Sequence, residues 1–142
     1  MAGSGFNFDN TYINLPKAFY TELSPMPVSK PEMVIFNAPL STDMGLDFSG
    51  ISTEVKAALF SGNNMPEGSQ PFAQAYAGHQ FSNFTILGDG RAIVWGEHVT
   101  PSDQRLDIQF KGSGPTPYSR GADGRAVLGP MLREYIMSEV MH

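Results

Sequence analysis

Cysteine is missing altogether from these 142 residues, which excludes disulfides and thiolate metal sites and fits a reducing compartment. Histidine is scarce. The three, at positions 79, 98 and 142, lack the tight spacing of a ligand set, so a zinc site built from them is not expected. Charge is sparse too, at 16% of residues, with a net charge of −5 and a pI near 5.0. That balance argues against bulk affinity for nucleic acid or an anionic membrane, so any anion site must be local. No apolar run approaches the roughly 20 residues of a membrane span. The opening MAGSGFNFDN has no basic region followed by an apolar one, so no secretory signal is expected. No internal repeat and no low-complexity tract is visible.

What is present is a 41% apolar fraction, enough for a core, together with 15 glycines and 11 prolines. This mixture predicts a loop-rich fold of short elements. Prolines at 16, 25, 27 and 31 make residues 15–33 a poor place for a helix. Phe6, Phe8, Tyr12, Phe19, Tyr20 and Phe36 nonetheless offer apolar surface, so the first part reads as an irregular extension wrapped over a core. STEVKAALF (52–60) predicts a short helix capped by Ser52 or Thr53, with Val55, Ala58 and Leu59 on one side. FTILGDGRAIVWGE (84–97) holds two apolar runs around Gly88-Asp89-Gly90, the pattern of a β-hairpin. LDIQFK (106–111) alternates strictly, placing Leu106, Ile108 and Phe110 on one face and Asp107, Gln109 and Lys111 on the other. From Pro130, the expected first helical position, PMLREYIMSEVMH reads as a helix. Leu132, Tyr135, Ile136 and Val140 form its apolar stripe and Glu134 lies off the centre. That helix runs to the last residue without a stop signal, which reads as truncation.

Between strand and helix lies GSGPTPYSRGADGRAV (112–127), with glycines at 112, 114, 121 and 124. Glycines let backbone amides approach phosphate oxygens. Lys111 is a mobile point charge suited to phosphate. A carboxylate on the next helix could steer it, and Glu134 is 23 residues on, the lysine–glutamate device of protein kinases. Arg91, Asp123 and Gly124 are further candidates near the same pocket. Each signal has an ordinary alternative, since strand-end lysines and helical glutamates usually sit in solvent. The order of the parts is what favours a site. The Gly88 and Gly90 pair has no third glycine at the dinucleotide-binding spacing and does not open a helix, which disfavours that fold. His79 reads as a hydrogen-bonded structural residue and Trp95 as core.

PFAQAYAGHQF (71–81), LGDGRAI (87–93), DIQFKGSGPTPYSRGADGRAVL (107–128) and REYIMSEVMH (133–142) resemble the amino-terminal part of the selenoprotein O (SelO, YdiU in bacteria) family, as do FDNTY (8–12), LPKAFYTELSPMPV (15–28) and NAPLSTDMGLD (37–47). The resemblance covers nearly the whole chain. It implies an α+β fold, the amino-terminal lobe of a protein-kinase-like pseudokinase, with a small antiparallel sheet and an αC-like helix. The expected division is an extension over 1–62 and a nucleotide-binding lobe over 63–142. It implies transfer of AMP from ATP, bound in a flipped orientation, to serine, threonine or tyrosine hydroxyls of proteins. Lys111 would bind phosphate and Glu134 would hold it, with Gly88, Gly90, Arg91, Asp123 and Gly124 completing the nucleotide site. The catalytic base and the ligands for Mg2+ (or Mn2+) are expected in a second lobe that this chain lacks, so the piece alone is expected to be inactive. The expected setting is the bacterial cytoplasm, with no nucleic-acid or membrane partner, and an exposed lobe interface would favour self-association. Position 115 is proline and 122 alanine where the family pattern has arginine and glycine, and 129–131 read Gly-Pro-Met. Pro115 removes a cation, and Ala122 is expected to restrict a backbone suited to positive φ. A conventional kinase-fold phosphotransferase and a stand-alone nucleotide-binding or interaction module are the competing readings.

Overall fold

A computed structural model describes residues 4–142 other than 76, 81, 87 and 89, with main chain only at Gln80 and Ile86. The fold is α+β. Strands β1 (Tyr20–Glu22), β2 (Phe72–Gln74), β5 (Ala92–Val99) and β6 (Arg105–Lys111) form an antiparallel sheet in the order β1-β2-β5-β6. Strands β3 (Ala77–Gln80) and β4 (Asn83–Ile86) form a separate antiparallel pair. Helices α1 (Ala38–Asp43) and α2 (Thr53–Phe60) precede the central strands, and α3 (Leu128–Met141) closes the chain.

The pairing corrects the expected hairpin. Among the described residues β4 pairs with β3, while β5 pairs with β2 and β6, so the runs flanking Gly88-Asp89-Gly90 are not each other's partners. Asp89 itself lies outside the described residues. Phe72 faces Val94 and Ala77 faces Ile86, so seven positions on the later arm oppose four on the earlier one. Gly88 and Gly90 therefore lie between two strands that are paired elsewhere, not at a hairpin tip.

β5 is the centre of the molecule. It is buried from Ala92 to His98, whereas β6 alternates between exposed and half-buried as its sequence requires. Trp95, with no exposed surface, packs with Leu46, Phe48 and Leu59, and Phe6, Phe8, Phe36, Phe60, Ile108 and Phe110 close around them. The Trp95 and Phe110 rings meet edge-on at 4.5 Å. A second cluster joins Tyr20, Phe72 and Val94, with Tyr12 stacked on Phe72 at 5.2 Å.

Residues before α1 are more ordered than proline density suggests. They contribute two 3-10 turns (Tyr12–Asn14 and Lys17–Phe19) and β1, an edge strand of the sheet. Phe19 is the aromatic of this region that stays exposed, at 48%. α1 begins at Asn37, whose side chain accepts the Leu40 N–H at 3.1 Å, with Pro39 in the first turn. The Asn37 amide also donates to Glu139 on α3 at 2.8 Å. In α2 Ser52 is the cap, and the buried residues are Ala57 and Leu59, while Val55 is exposed. α3 starts two residues earlier than expected, so Pro130 occupies its third position, where the missing N–H still has no helical partner to lose. Its apolar stripe divides: Leu132 and Tyr135 are half-buried, but Ile136 and Val140 are 57% and 72% exposed.

Candidate nucleotide site

β6 carries Lys111 to the edge of the sheet on its polar face, opposite Ala92 of β5. There the Lys111 ammonium donates to both carboxylate oxygens of Glu134, each at 2.8 Å. Both side chains remain about half exposed, at 46% and 52%. The ion pair therefore bridges sheet and α3 while keeping a face open to solvent. The next residue, Gly112, donates its N–H to the Arg91 carbonyl at 3.0 Å, which fixes the lysine's backbone beside the glycine segment.

A cavity of about 210 Å3 adjoins this junction, lined by Gly90, Arg91, Ser119, Arg120, Ala122, Asp123, Gly124 and Arg125. Four of the seven sequence-predicted residues thus come together: Gly90, Arg91, Asp123 and Gly124. Gly88, Lys111 and Glu134 do not line it, and Lys111 reaches its neighbourhood through Arg91. The volume suits phosphate groups rather than a whole nucleotide.

The walls are held by short polar contacts. Arg91 donates to the Arg125 carbonyl at 2.9 Å. Asp123 accepts the Arg125 N–H at 2.9 Å, so its carboxylate shapes the turn from which it projects. The Arg125 guanidinium reaches the Met26 and Pro27 carbonyls, and Met26 donates its N–H to the Ser113 carbonyl at 2.8 Å. Arg125 is thereby a structural pin into the amino-terminal region. Gly124, at φ 67°, sits where any Cβ would fall on the Gly114 carbonyl, so only glycine lets the two loop arms meet. A Cβ on Gly88 would likewise collide with the Gln74 carbonyl and the Tyr118 ring.

Ala122 does not need the conformation expected of it. The positive φ values in that turn belong to Arg120 (56°) and Gly121 (71°), and the alanine at 122 meets no left-handed penalty. Ser119 ties the turn off by donating to the Thr116 carbonyl at 2.9 Å, and its own carbonyl accepts the Ala122 N–H at 3.0 Å. Arg120 in a left-handed conformation is a strained cation on the cavity wall. Sequence reasoning passed over Ser119 and Arg120 as site residues, although their place in the SRGADGR string beside Asp123 was the available signal. His79, expected to be a structural residue, is exposed on β3 opposite Phe84. The buried structural histidine is His98, whose Nδ1 accepts the Asn7 N–H at 3.1 Å and whose Nε2 bonds the Met44 carbonyl at 2.8 Å.

Comparison with known proteins matches residues 4–142 to the family described as protein adenylyltransferase SelO. The chain is 62% identical over 138 residues to the protein nucleotidyltransferase YdiU of Nitrosococcus oceani, covering 97% of this chain and 28% of that protein. It is 60% identical over 139 residues to the protein of the same name from Anoxybacillus flavithermus, covering 98% and 29%. With that of Syntrophotalea carbinolica it shares 61% over 140 residues, covering 99% and 28%. The chain thus spans less than a third of the length of the curated relatives it matches. With nearly every residue inside the match, the chain belongs to the protein adenylyltransferase SelO family.

Proposed function

We propose that this chain is the nucleotide-binding part of a protein adenylyltransferase that transfers AMP from ATP to serine, threonine or tyrosine hydroxyls of other proteins. On this reading the sheet and α3 serve as the amino-terminal lobe of a kinase-like fold, with α3 in the role of the αC helix. The observation that carries it is the two-pronged Lys111–Glu134 ion pair beside a cavity lined by Gly90, Gly124 and three arginines. A lysine so held stays aimed, ready to bind phosphate oxygen without reorganising. Gly90, Arg91 and Gly124 would take the phosphates against backbone and guanidinium donors, and Asp123 would orient the loop.

ATP fits the donor set: two glycines in the cavity lining, one steered ammonium and arginines at the rim. The fit for magnesium or manganese is different. Among the described residues no three histidine, aspartate or glutamate side chains form a group that could hold a metal ion. On our reading the metal takes its ligands, and the reaction its base, from a second lobe in a longer protein, so this chain alone binds nucleotide weakly and transfers nothing. Exposed Ile136, Met137 and Val140 on α3 support self-association of the isolated chain. Among the described residues no helix is long and apolar enough to cross a membrane.

The test uses a full-length protein containing this chain, with ATP labelled separately at the α- and γ-positions and a mixed protein acceptor. Label carried from the α-position onto protein supports AMP transfer. Label carried only from the γ-position establishes a conventional phosphotransferase, and ATP binding without transfer of either establishes a binding module.

A further inference from the structure

Gly88 and Gly90 have backbone freedom that must be restrained before they can present amides to a ligand. Gly88 and Gly90 adopt φ values of 49° and 64°, and neither has a side chain to anchor it. The restraint comes from the opposite loop. Thr116, 8% exposed, donates its hydroxyl hydrogen to the Gly90 carbonyl. The same oxygen accepts the Tyr118 N–H at 3.1 Å. The Tyr118 ring then fills the space where a Cβ on Gly88 would lie, and its hydroxyl sits 3.2 Å from Thr21 Oγ1 on β1. One short segment, TPY, therefore grips both glycines of the turn and ties them to the sheet edge.

Building on the nucleotide-binding reading above, we propose that Thr116 and Tyr118 are positioning residues that latch Gly88 and Gly90 onto the 112–126 loop and so preset the width of the phosphate cradle. A turn ordered during folding need not be ordered again at binding, and affinity rises by the ordering free energy avoided. The latch acts on phosphate, because the carbonyl it holds belongs to Gly90, a residue of the cavity wall. It touches no reacting atom and is not catalytic.

The experiment measures ATP and adenosine affinity by calorimetry for the full-length protein and its Thr116→Val, Thr116→Ser and Tyr118→Leu variants, with thermal unfolding alongside. Valine keeps the shape of threonine and removes the hydroxyl; serine keeps the hydroxyl. Thr116→Val is expected to weaken ATP about tenfold, the effect of one lost hydrogen bond, to leave adenosine unchanged, and to be rescued by Thr116→Ser. Tyr118→Leu is expected to show the same phosphate-selective loss, and it decides the matter if the valine protein does not fold. A purely structural role predicts lower melting temperatures with unchanged ATP affinity in the folded protein, and that result overturns the latch. An equal loss for ATP and adenosine overturns it as well. Should the unaltered protein bind no ATP, the reading of the preceding section fails, and amide hydrogen exchange then tests the latch alone. Exchange at Gly90 and Arg91 is expected to quicken about tenfold in Thr116→Val but not in Thr116→Ser, and unchanged exchange removes the proposal.

Discussion

Two acidic side chains, Glu97 on β5 and Glu134 on α3, show what burial does to a carboxylate's role. Glu97 is 6% exposed, and its oxygens accept from the Thr11 N–H, the Thr11 hydroxyl (2.7 Å) and the Tyr12 N–H (2.7 Å), with Arg105 at 3.8 Å. It clamps the amino-terminal region to the central strand. Glu134 is half exposed and spends both oxygens on one lysine. A carboxylate buried among backbone donors is committed to the fold, because removing it strands those donors. A carboxylate that shares an exposed ammonium contributes little to stability and leaves the cation free to meet a ligand. On the nucleotide-binding reading, the contrast separates structural charge from functional charge in one small molecule.

The strongest way to break this contrast is Glu97→Ala, which leaves two backbone N–H groups and a hydroxyl without their acceptor in a part-buried setting. A loss of about 3 kcal/mol of stability is expected by chemical denaturation. A loss under about 1 kcal/mol would show that Glu97 is no more committed than a surface ion pair. Gly124→Ala comes next. Its left-handed backbone alone costs a β-carbon about 1–2 kcal/mol, and the clash with Gly114 adds to that. The separated loop arms should also weaken nucleotide binding, and calorimetry on the folded variant checks that consequence.

The sequence itself carried some of these roles and hid others. The alternation of β6, a cap at Ser52 or Thr53 and the burial of Trp95 follow from local patterns, and the structure has the alternation, Ser52 as the cap and Trp95 buried. The Lys111–Glu134 pair was legible because the order strand, lysine, loop and helix constrains where the two can meet. Asn37 followed by Pro39 was a readable helix start that the density of prolines obscured. The Glu97 clamp was not readable, because its partners are backbone N–H groups 85 and 86 residues away that carry no residue-type signal. The expected hairpin around Gly88 and Gly90 failed for a related reason: an Asp-Gly pair suits a hairpin turn and a connection between strands paired elsewhere equally well, and only the pairing decides between them.

Lys111→Ala sharpens the contrast from the other side. Stability should fall by less than about 1 kcal/mol, as for exposed ion pairs. ATP affinity in the full-length protein should fall by about 1.5–3 kcal/mol, the range for a charge-assisted contact. Unchanged ATP affinity would take Lys111 out of the site and leave Glu134 a surface residue. Glu134→Gln should reproduce part of the binding loss without affecting folding, since the lysine then loses its guide but keeps its charge.

The smallest effect concerns Asp107, which faces Glu97 across the β5–β6 pairing. Desolvation, and then the Glu97 charge, raise its pKa above the ordinary aspartate value of 3.8. The folded protein therefore holds this proton more readily than the unfolded chain does. In the window between the two pKa values stability rises as pH falls, and at neutral pH the ionised Asp107 is a net cost. Asp107→Asn should consequently stabilise the protein slightly near pH 7, and that gain should vanish as the pH is lowered to about 4. Much of the side chain is solvated, so the gain should be small beside the effect of any other substitution above. If the gain instead grew on acidification, Asp107 would be a favourable partner of Arg105 rather than a repelled neighbour of Glu97.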